Sequence, residues 1–422
     1  MVAALAGLVV LQFATLRVTP PGFYVDEATT GAHVVSMLAD ARDANGTPWP
    51  FFSQSLGGGY TTPVYLYPLV GWAAIFGDSE YALRAFSTFI TIAAVLVLGL
   101  GMRYWLGQRG MYATWFVGLL LPWAWLGGSL AWDPVMVPLF TATAWYCFSR
   151  LVHDQRHRLL LTLGLGTTLV LAAYVYPPCR VSAPLLLLAS GIYLLRARHI
   201  NIKQATLTAV WCAVIVVPLA LFMFSDEAMG RSEAISVFGQ ANPLAAVGIT
   251  LYNYLQLLNP LNLFVTGDPN LRHSTGVFGM LGGVGLVGIL GLTYLKRGTV
   301  ELRLTLLATV GIVLSLLGSA LTIEGQPHYL RATAAWPFFV AIIVCGWCLI
   351  QQHATSIIRT AAFSVAGVMT VFYTVDLVFL YPTRSAESFD YTTRQLIQFE
   401  RALGIDLPID YPEKAMIYYD KR

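Results

Sequence analysis

Charge is what this sequence has least of. Asp, Glu, Lys and Arg make up 11% of its 422 residues, against 57% hydrophobic ones, where a soluble domain carries about 25% charged residues. A water-soluble globular enzyme is therefore excluded. The net charge is only +3, and the basic residues are spread between apolar runs, so there is no nucleic-acid footprint. Cysteine is also scarce. Of Cys147, Cys179, Cys212, Cys345 and Cys348, only Cys179 falls in an expected loop, and no disulfide framework is implied. No Lys or Arg precedes the first apolar run and Arg17 follows it, which argues against a signal peptide.

Familiar cofactor signatures are missing as well. There is no Walker A motif and no HExxH, and the seven His are too scattered to form a metal cluster by spacing. No metal ligand is assigned; a divalent metal is compatible with the chain but not implied by it. Gly283-Val284-Gly285-Leu286-Val287-Gly288 fits GxGxxG, yet no strand precedes it and it lies in an apolar run, where small residues serve close helix packing. Cys345-Gly346-Trp347-Cys348 likewise reads as buried packing rather than redox chemistry.

Long apolar runs are what the chain does have. They cover approximately 2–18, 82–104, 111–126, 134–152, 158–176, 181–196, 204–224, 277–295, 303–323, 330–351 and 358–381, which predicts an all-α polytopic membrane protein with about eleven transmembrane helices. Alternate connections carry Arg103 and Arg109, Arg150, Arg156 and Arg158, Arg196, Arg198 and Lys203, Lys296, Arg297 and Arg303, and Arg359, against only Asp154 and Glu301. That imbalance marks the cytoplasmic side of a plasma (inner) membrane. The opposite side holds most acids and the longer loops: a first extracytoplasmic loop over 19–81, a second over 225–276, a short one over 322–331, and the tail. Chemistry is expected on the extracytoplasmic face.

Residues 1–381 then form one transmembrane domain, and 382–422 open an extracytoplasmic soluble domain that looks incomplete. In the first loop Ala28, Ala32, Val35, Leu38 and Ala39 recur at helical spacing opposite Thr29, His33, Ser36 and Asp40, which predicts an amphipathic interfacial helix. Val64 to Phe76 is too short for a span and is placed in the interface. Phe389, Leu396, Phe399 and Leu403 predict a helix in the tail, and Ala415 to Tyr419 a strand.

Three groups of polar residues lie on the outer side. Asp26 and Glu27 follow the first span in an aromatic, Pro-rich approach, Pro20-Pro21-Gly22-Phe23-Tyr24-Val25. They could simply cap a helix, or accept a proton from a substrate at the membrane surface. Arg84, Arg180 and Arg331, with His328, could snorkel to headgroups, or hold a lipid-borne phosphate through forked guanidinium donors. Asp268, Arg272 and His273, in a turn-rich segment before the eighth span, suit either a hydrated loop or contact with a sugar or acceptor. Asp133, between Trp132 and Pro134, is a helix cap or a second carboxylate of the same site.

The order of these features resembles the membrane glycosyltransferases of the GT-C fold, in the protein O-mannosyltransferase and aminoarabinose-transferase-like group. The matching stretches are Pro21-x-x-Tyr24-Val25-Asp26-Glu27-Ala28, Thr62-Pro63-Val64-Tyr65-Leu66, Ala82-Leu83-Arg84-Ala85-Phe86-Ser87, Tyr176-Pro177-Pro178-Cys179-Arg180 and His328-Tyr329-Leu330-Arg331. The resemblance is good over about the first 190 residues and patchy beyond, and the Asp-Glu pair is its most specific element. It implies a polyprenyl-phosphate-linked sugar as donor and an envelope glycan, lipid or protein as acceptor. Asp26 would be the general base, Glu27 its neighbour in the acceptor pocket, and Arg84, Arg180 and Arg331 the phosphate ligands. The large folded insertions of the eukaryotic protein O-mannosyltransferases are missing, which leaves the acceptor open. A transporter or lipid flippase is the rival, and it should place ionisable groups and broken helices near the midplane. A catalytically silent homologue within a larger envelope complex is the third reading.

Overall fold

A computed structural model describes residues 2–154, 156–225, 228, 235–323, 327–404, 409 and 411–420. Parts of the expected second loop (226–227 and 229–234), of the short loop (324–326) and of the tail (405–408, 410 and 421–422) lie outside the described residues. Leaving aside one-turn pieces, the helices are α1 (Val2–Thr15), α2 (Val25–Asp40), α3 (Pro63–Phe76), α4 (Glu80–Leu120), α5 (Pro122–Gly128), α6 (Met136–His153), α7 (Arg158–Val175), α8 (Cys179–Arg196) and α9 (Ile202–Met223). Then come α10 (Pro243–Leu258), α11 (Gly282–Gly291), α12 (Val300–Ala320), α13 (Trp336–His353), α14 (Ser356–Val375), α15 (Tyr391–Leu403) and α16 (Glu413–Asp420). A two-residue hairpin pairs β1 (Ser53–Gln54) with β2 (Tyr60–Thr61) in the first loop.

Among the described residues, eight helices are long and apolar enough to cross a membrane. One of them, α4, contains Gly107 at φ 68° and ψ −165°, where the chain doubles back. A Cβ on Gly118 would lie 2.9 Å from Val95, and one on Gly99 would meet Trp115, so the two limbs pack closely. This helix therefore supplies both segments 82–104 and 111–126. Segments 2–18 and 277–295 form the shorter helices α1 and α11, and the described helices do not confirm a count of eleven spans. In the second case the stretch before Gly282 is held as loop, and the helix starts late.

The bundle centres on α13, whose spanning window is wholly buried. It approaches α11 backbone to backbone, and a Cβ on Gly346 would fall 1.7 Å from the Gly288 carbonyl oxygen. The GxGxxG run is thus a packing face, and the nearby Cys345 and Cys348 are buried free thiols.

The first loop is less interfacial than its pattern suggests. The helix α2 forms where the spacing places it, but Thr29, His33 and Ser36 of its polar face are as buried as Ala28 and Ala32. Two segments cover that helix. Ala44 donates its N–H to His33 Nδ1 at 3.2 Å, and α16 packs across it, with the Tyr418 ring filling the notch at Gly31. The expected strand at 415–419 is therefore a helix: Ala415, Tyr418 and Tyr419 are buried at i, i+3 and i+4, the spacing needed to pack on another helix. In α15, Leu396, Phe399 and Leu403 stay exposed on one face.

Burial pushes His33 down to about 4, with Asp43 opposing in part. The unfolded chain binds a proton there below about pH 6.5, while the folded chain does not until about pH 4. Stability should therefore fall as pH drops through this window, by about 3 kcal/mol from this group alone. Thermal unfolding in micelles between pH 7 and 4 measures it, and His33→Gln should flatten the acid limb. Parallel limbs for wild type and variant would refute the assignment.

Candidate active site

The site is built where α2, α6, α7 and α8 end on one side of the bundle. Glu27 and Arg84 lie beneath it as a single buried unit. Arg84 Nε donates to Glu27 Oε1 at 2.9 Å and Nη2 to Oε2 at 2.6 Å, with the two side chains 0% and 4% exposed. The guanidinium also donates to the carbonyls of Pro20 at 2.9 Å and Gly22 at 2.6 Å. Glu27 accepts further bonds from the Ala131 N–H at 2.8 Å and from the Tyr24 N–H at 3.2 Å. The last of these caps α2 from its own first turn. The structure thus places Glu27 and Arg84 on each other, rather than one in an acceptor pocket and the other on a phosphate.

Asp26, one residue earlier on α2, is only partly buried. Its charge acts on Asp133, which also feels Arg180. Asp133 and Arg331 both act on Tyr176. Arg331, Arg272 and His273 act on His328, and the Arg272 guanidinium sits 3.9 Å over the Tyr24 ring. Tyr24 feels Asp26 in turn, which closes a ring of interacting groups. The ring gathers Asp26, Asp133, Arg180, Arg272, His273, His328 and Arg331 from five separate stretches of chain. Burial pushes the Tyr24 and Tyr176 phenols up. Burial, then the His273 and arginine charges, hold His328 well below its ordinary value. His328 is therefore neutral at pH 7 and faces the site without adding charge.

Asp268 organises the loop that carries Arg272. Its Oδ1 accepts from the Asn270 N–H at 2.8 Å, its Oδ2 accepts from the Tyr329 N–H at 2.9 Å, and His273 Nδ1 lies 3.0 Å from Oδ2. The His273 and His328 rings stack at 4.6 Å. Ligand atoms of Asp268, His273 and His328 lie within 4.8 Å of one another. A zinc site holds ligands at about 2.0 to 2.2 Å from the ion, so these side chains would have to draw together to close on one.

Several participants carried no signal in the sequence. Tyr24 and Tyr176 look like interfacial aromatics. Asp390 follows the last span by some distance, yet its Oδ2 accepts the Val25 N–H at 2.9 Å, beside Asp26. Burial raises its carboxyl, with Arg272 opposing. Asp376 is a packed polar group: Arg384 holds it bidentately at 2.7 and 2.9 Å.

No family model matches the chain, and no curated protein does. Solved structures do. ArnT from Cupriavidus metallidurans bound to undecaprenyl phosphate aligns over 100% of this chain and 74% of its own, at 11% identity and TM-score 0.60. The apo state of ArnT aligns over the same shares at 13% identity and TM-score 0.54. The Archaeoglobus fulgidus oligosaccharyltransferase tethered to an acceptor peptide aligns over 100% of this chain and 58% of its own, at 12% identity and TM-score 0.52. At such identities the likeness is one of fold, and the fold of this chain is the GT-C fold of membrane glycosyltransferases.

Proposed function

We propose that the chain moves a sugar from a polyprenyl-phosphate carrier to an envelope acceptor, on the extracytoplasmic face of the plasma membrane. One observation carries this reading: two carboxyl groups, Asp26 and Asp133, are gathered with three arginines, Arg180, Arg272 and Arg331, at one end of a GT-C bundle. A similar solved structure holds undecaprenyl phosphate and another an acceptor peptide.

Asp26 accepts the proton of the acceptor nucleophile as that atom attacks the anomeric carbon. The bond from that carbon to the phosphate oxygen breaks, and the lipid monophosphate leaves with the electron pair. Arg180 and Arg331, with neutral His328 alongside, stabilise its charge. One displacement inverts the anomeric centre. Asp133, Arg272 and His273 contact sugar or acceptor, Asp268 positions the loop that carries Arg272 and His273, and the Glu27–Arg84 pair fixes the helix end that presents Asp26.

Reconstituted transfer from defined polyprenyl-phosphate sugars, with product configuration read by NMR, tests the reading. Substrate counterflow in proteoliposomes without any transfer product would overturn it in favour of a transporter. Arg180→Ala and Arg331→Ala should each raise the donor KM by about ten- to a hundredfold, the worth of one charge-assisted hydrogen bond. An unchanged donor KM in both variants would remove them from the phosphate site.

A further inference from the structure

The opposite end of the bundle carries a second cluster of charge. Trp105 lies 21 residues beyond Arg84 along the first limb of α4, about 30 Å at 1.5 Å per residue. There Arg303 stacks its guanidinium 5.8 Å from the Trp105 ring and 5.5 Å from the Tyr193 ring. Its Nε donates to the Tyr193 hydroxyl at 2.7 Å. Arg158 acts on His199 together with Arg303, and its Nε is buried with no hydrogen-bond partner among the described residues. Burial, then the charges of Arg303, Arg158 and His153, hold His199 below its ordinary value. No carboxylate pairs with Arg158 or Arg303 among the described residues. Asp154 is taken by Arg150 at 3.1 Å, and Glu301 bears instead on Cys345 and Cys348.

An apolar crevice runs into the bundle from this cluster. Two of its walls are single helix faces, Leu186, Ser190 and Tyr193 on α8 and Leu307, Gly311 and Leu314 on α12, and residues of α6, α7 and α13 close it behind. Each face runs through eight residues, seven helical rises or about 10 Å along the helix axis. The crevice is therefore a slot parallel to the helices. Val310, which lines it, is 48% exposed, so the slot opens on the lipid-facing surface. Tyr193 belongs to both features, because its ring lines the slot and its hydroxyl accepts from Arg303.

We propose that this slot takes an acyl chain of an acidic phospholipid, with the lipid phosphate held between Arg158 and Arg303. The chemistry of both ends selects that occupant. The slot suits a flexible hydrocarbon chain lying along the helices, and its mouth presents unneutralised guanidinium donors to an anionic headgroup. A zwitterionic lipid offers the same chain with its own cation opposing the arginines. The site lies a bundle length from Asp26, and it stands whether or not the chain is a transferase.

Native mass spectrometry of the full chain, exchanged into micelles containing phosphatidylglycerol, phosphatidylcholine or undecaprenyl phosphate, tests the site. Wild type should retain phosphatidylglycerol over phosphatidylcholine by about thirtyfold, about fivefold for each arginine. The Arg158→Ala/Arg303→Ala variant should bring phosphatidylglycerol down to the phosphatidylcholine level. Val310→Trp, a substitution at the lipid-facing opening of the slot, should lower retention of both phospholipids with unfolding temperature unchanged. Equal retention of the two phospholipids by wild type, or full phosphatidylglycerol retention by the double arginine variant, would overturn the proposal. So would retention of undecaprenyl phosphate alone.

Discussion

Asp26→Asn should lower the turnover of sugar transfer by about a thousandfold while leaving the donor KM and the unfolding temperature near wild type. Asn keeps the shape of the side chain at the first turn of α2 but cannot take a proton, and general base catalysis contributes about 10²- to 10⁴-fold. A thousandfold corresponds to about 4 kcal/mol of barrier. The donor KM should hold because the proposed phosphate ligands, Arg180 and Arg331, reach the site from α8 and from the turn before α13, not from α2. Asp133→Asn is the informative control. It also removes the carboxyl that interacts with Asp26, so an account in which the two groups act jointly predicts comparable losses in both variants. The general-base account predicts that the Asp26 variant is much the slower. Asp26→Glu should recover part of the rate, since it restores a carboxylate at altered reach. Wild-type turnover in a folded Asp26→Asn enzyme would end the assignment.

How legible this site was depends on what kind of signal each residue carried. The spans and the side of the bundle that gathers carboxylates could be read because composition and charge asymmetry are sums over many residues. Asp26, Asp133, Arg180 and Arg331 could be nominated because each is an ionisable group beside an apolar run, where burial needs a reason. Their pairing could not be read. Arg84 and Arg180 look alike in sequence, one opening a span and the other just past a Pro-Pro turn, yet one is consumed by Glu27 and the other faces Asp133. That distinction is set by the chain at 20–24 folding back over α4, a contact about sixty positions apart. The α16 helix was misread for the same reason. Five residues with two tyrosines fit a strand locally, whereas in the fold they pack as a helix on α2, with the Tyr418 ring in the notch at Gly31. Asp390 was invisible because nothing in the tail announces that it returns to the start of α2.

The largest stability effect is expected at the Glu27–Arg84 pair. Glu27→Ala leaves a guanidinium at the centre of the loop with its charge uncompensated, and breaking a buried pair by removing one partner costs about 3 to 5 kcal/mol. The same substitution strips the acceptor from the Ala131 and Tyr24 N–H groups, so the start of α2 and the chain before α6 lose their common anchor. Arg84→Lys should also fail, because an ammonium cannot reproduce the fork that meets both Glu27 oxygens while reaching the Pro20 and Gly22 carbonyls. Both single variants should unfold at markedly lower temperature in micelles and be depleted from membranes. The double variant Glu27→Leu/Arg84→Met removes both charges together, and much of the lost stability should return, as it does when buried ion pairs are replaced by apolar groups of similar size. Turnover should not return with it, since Asp26 would then stand on a helix end no longer tied to α4. A Glu27→Ala enzyme with wild-type unfolding temperature and lost turnover would instead place Glu27 in direct contact with substrate. Recovery of both stability and turnover in the double variant would show that the pair neither anchors nor positions the site.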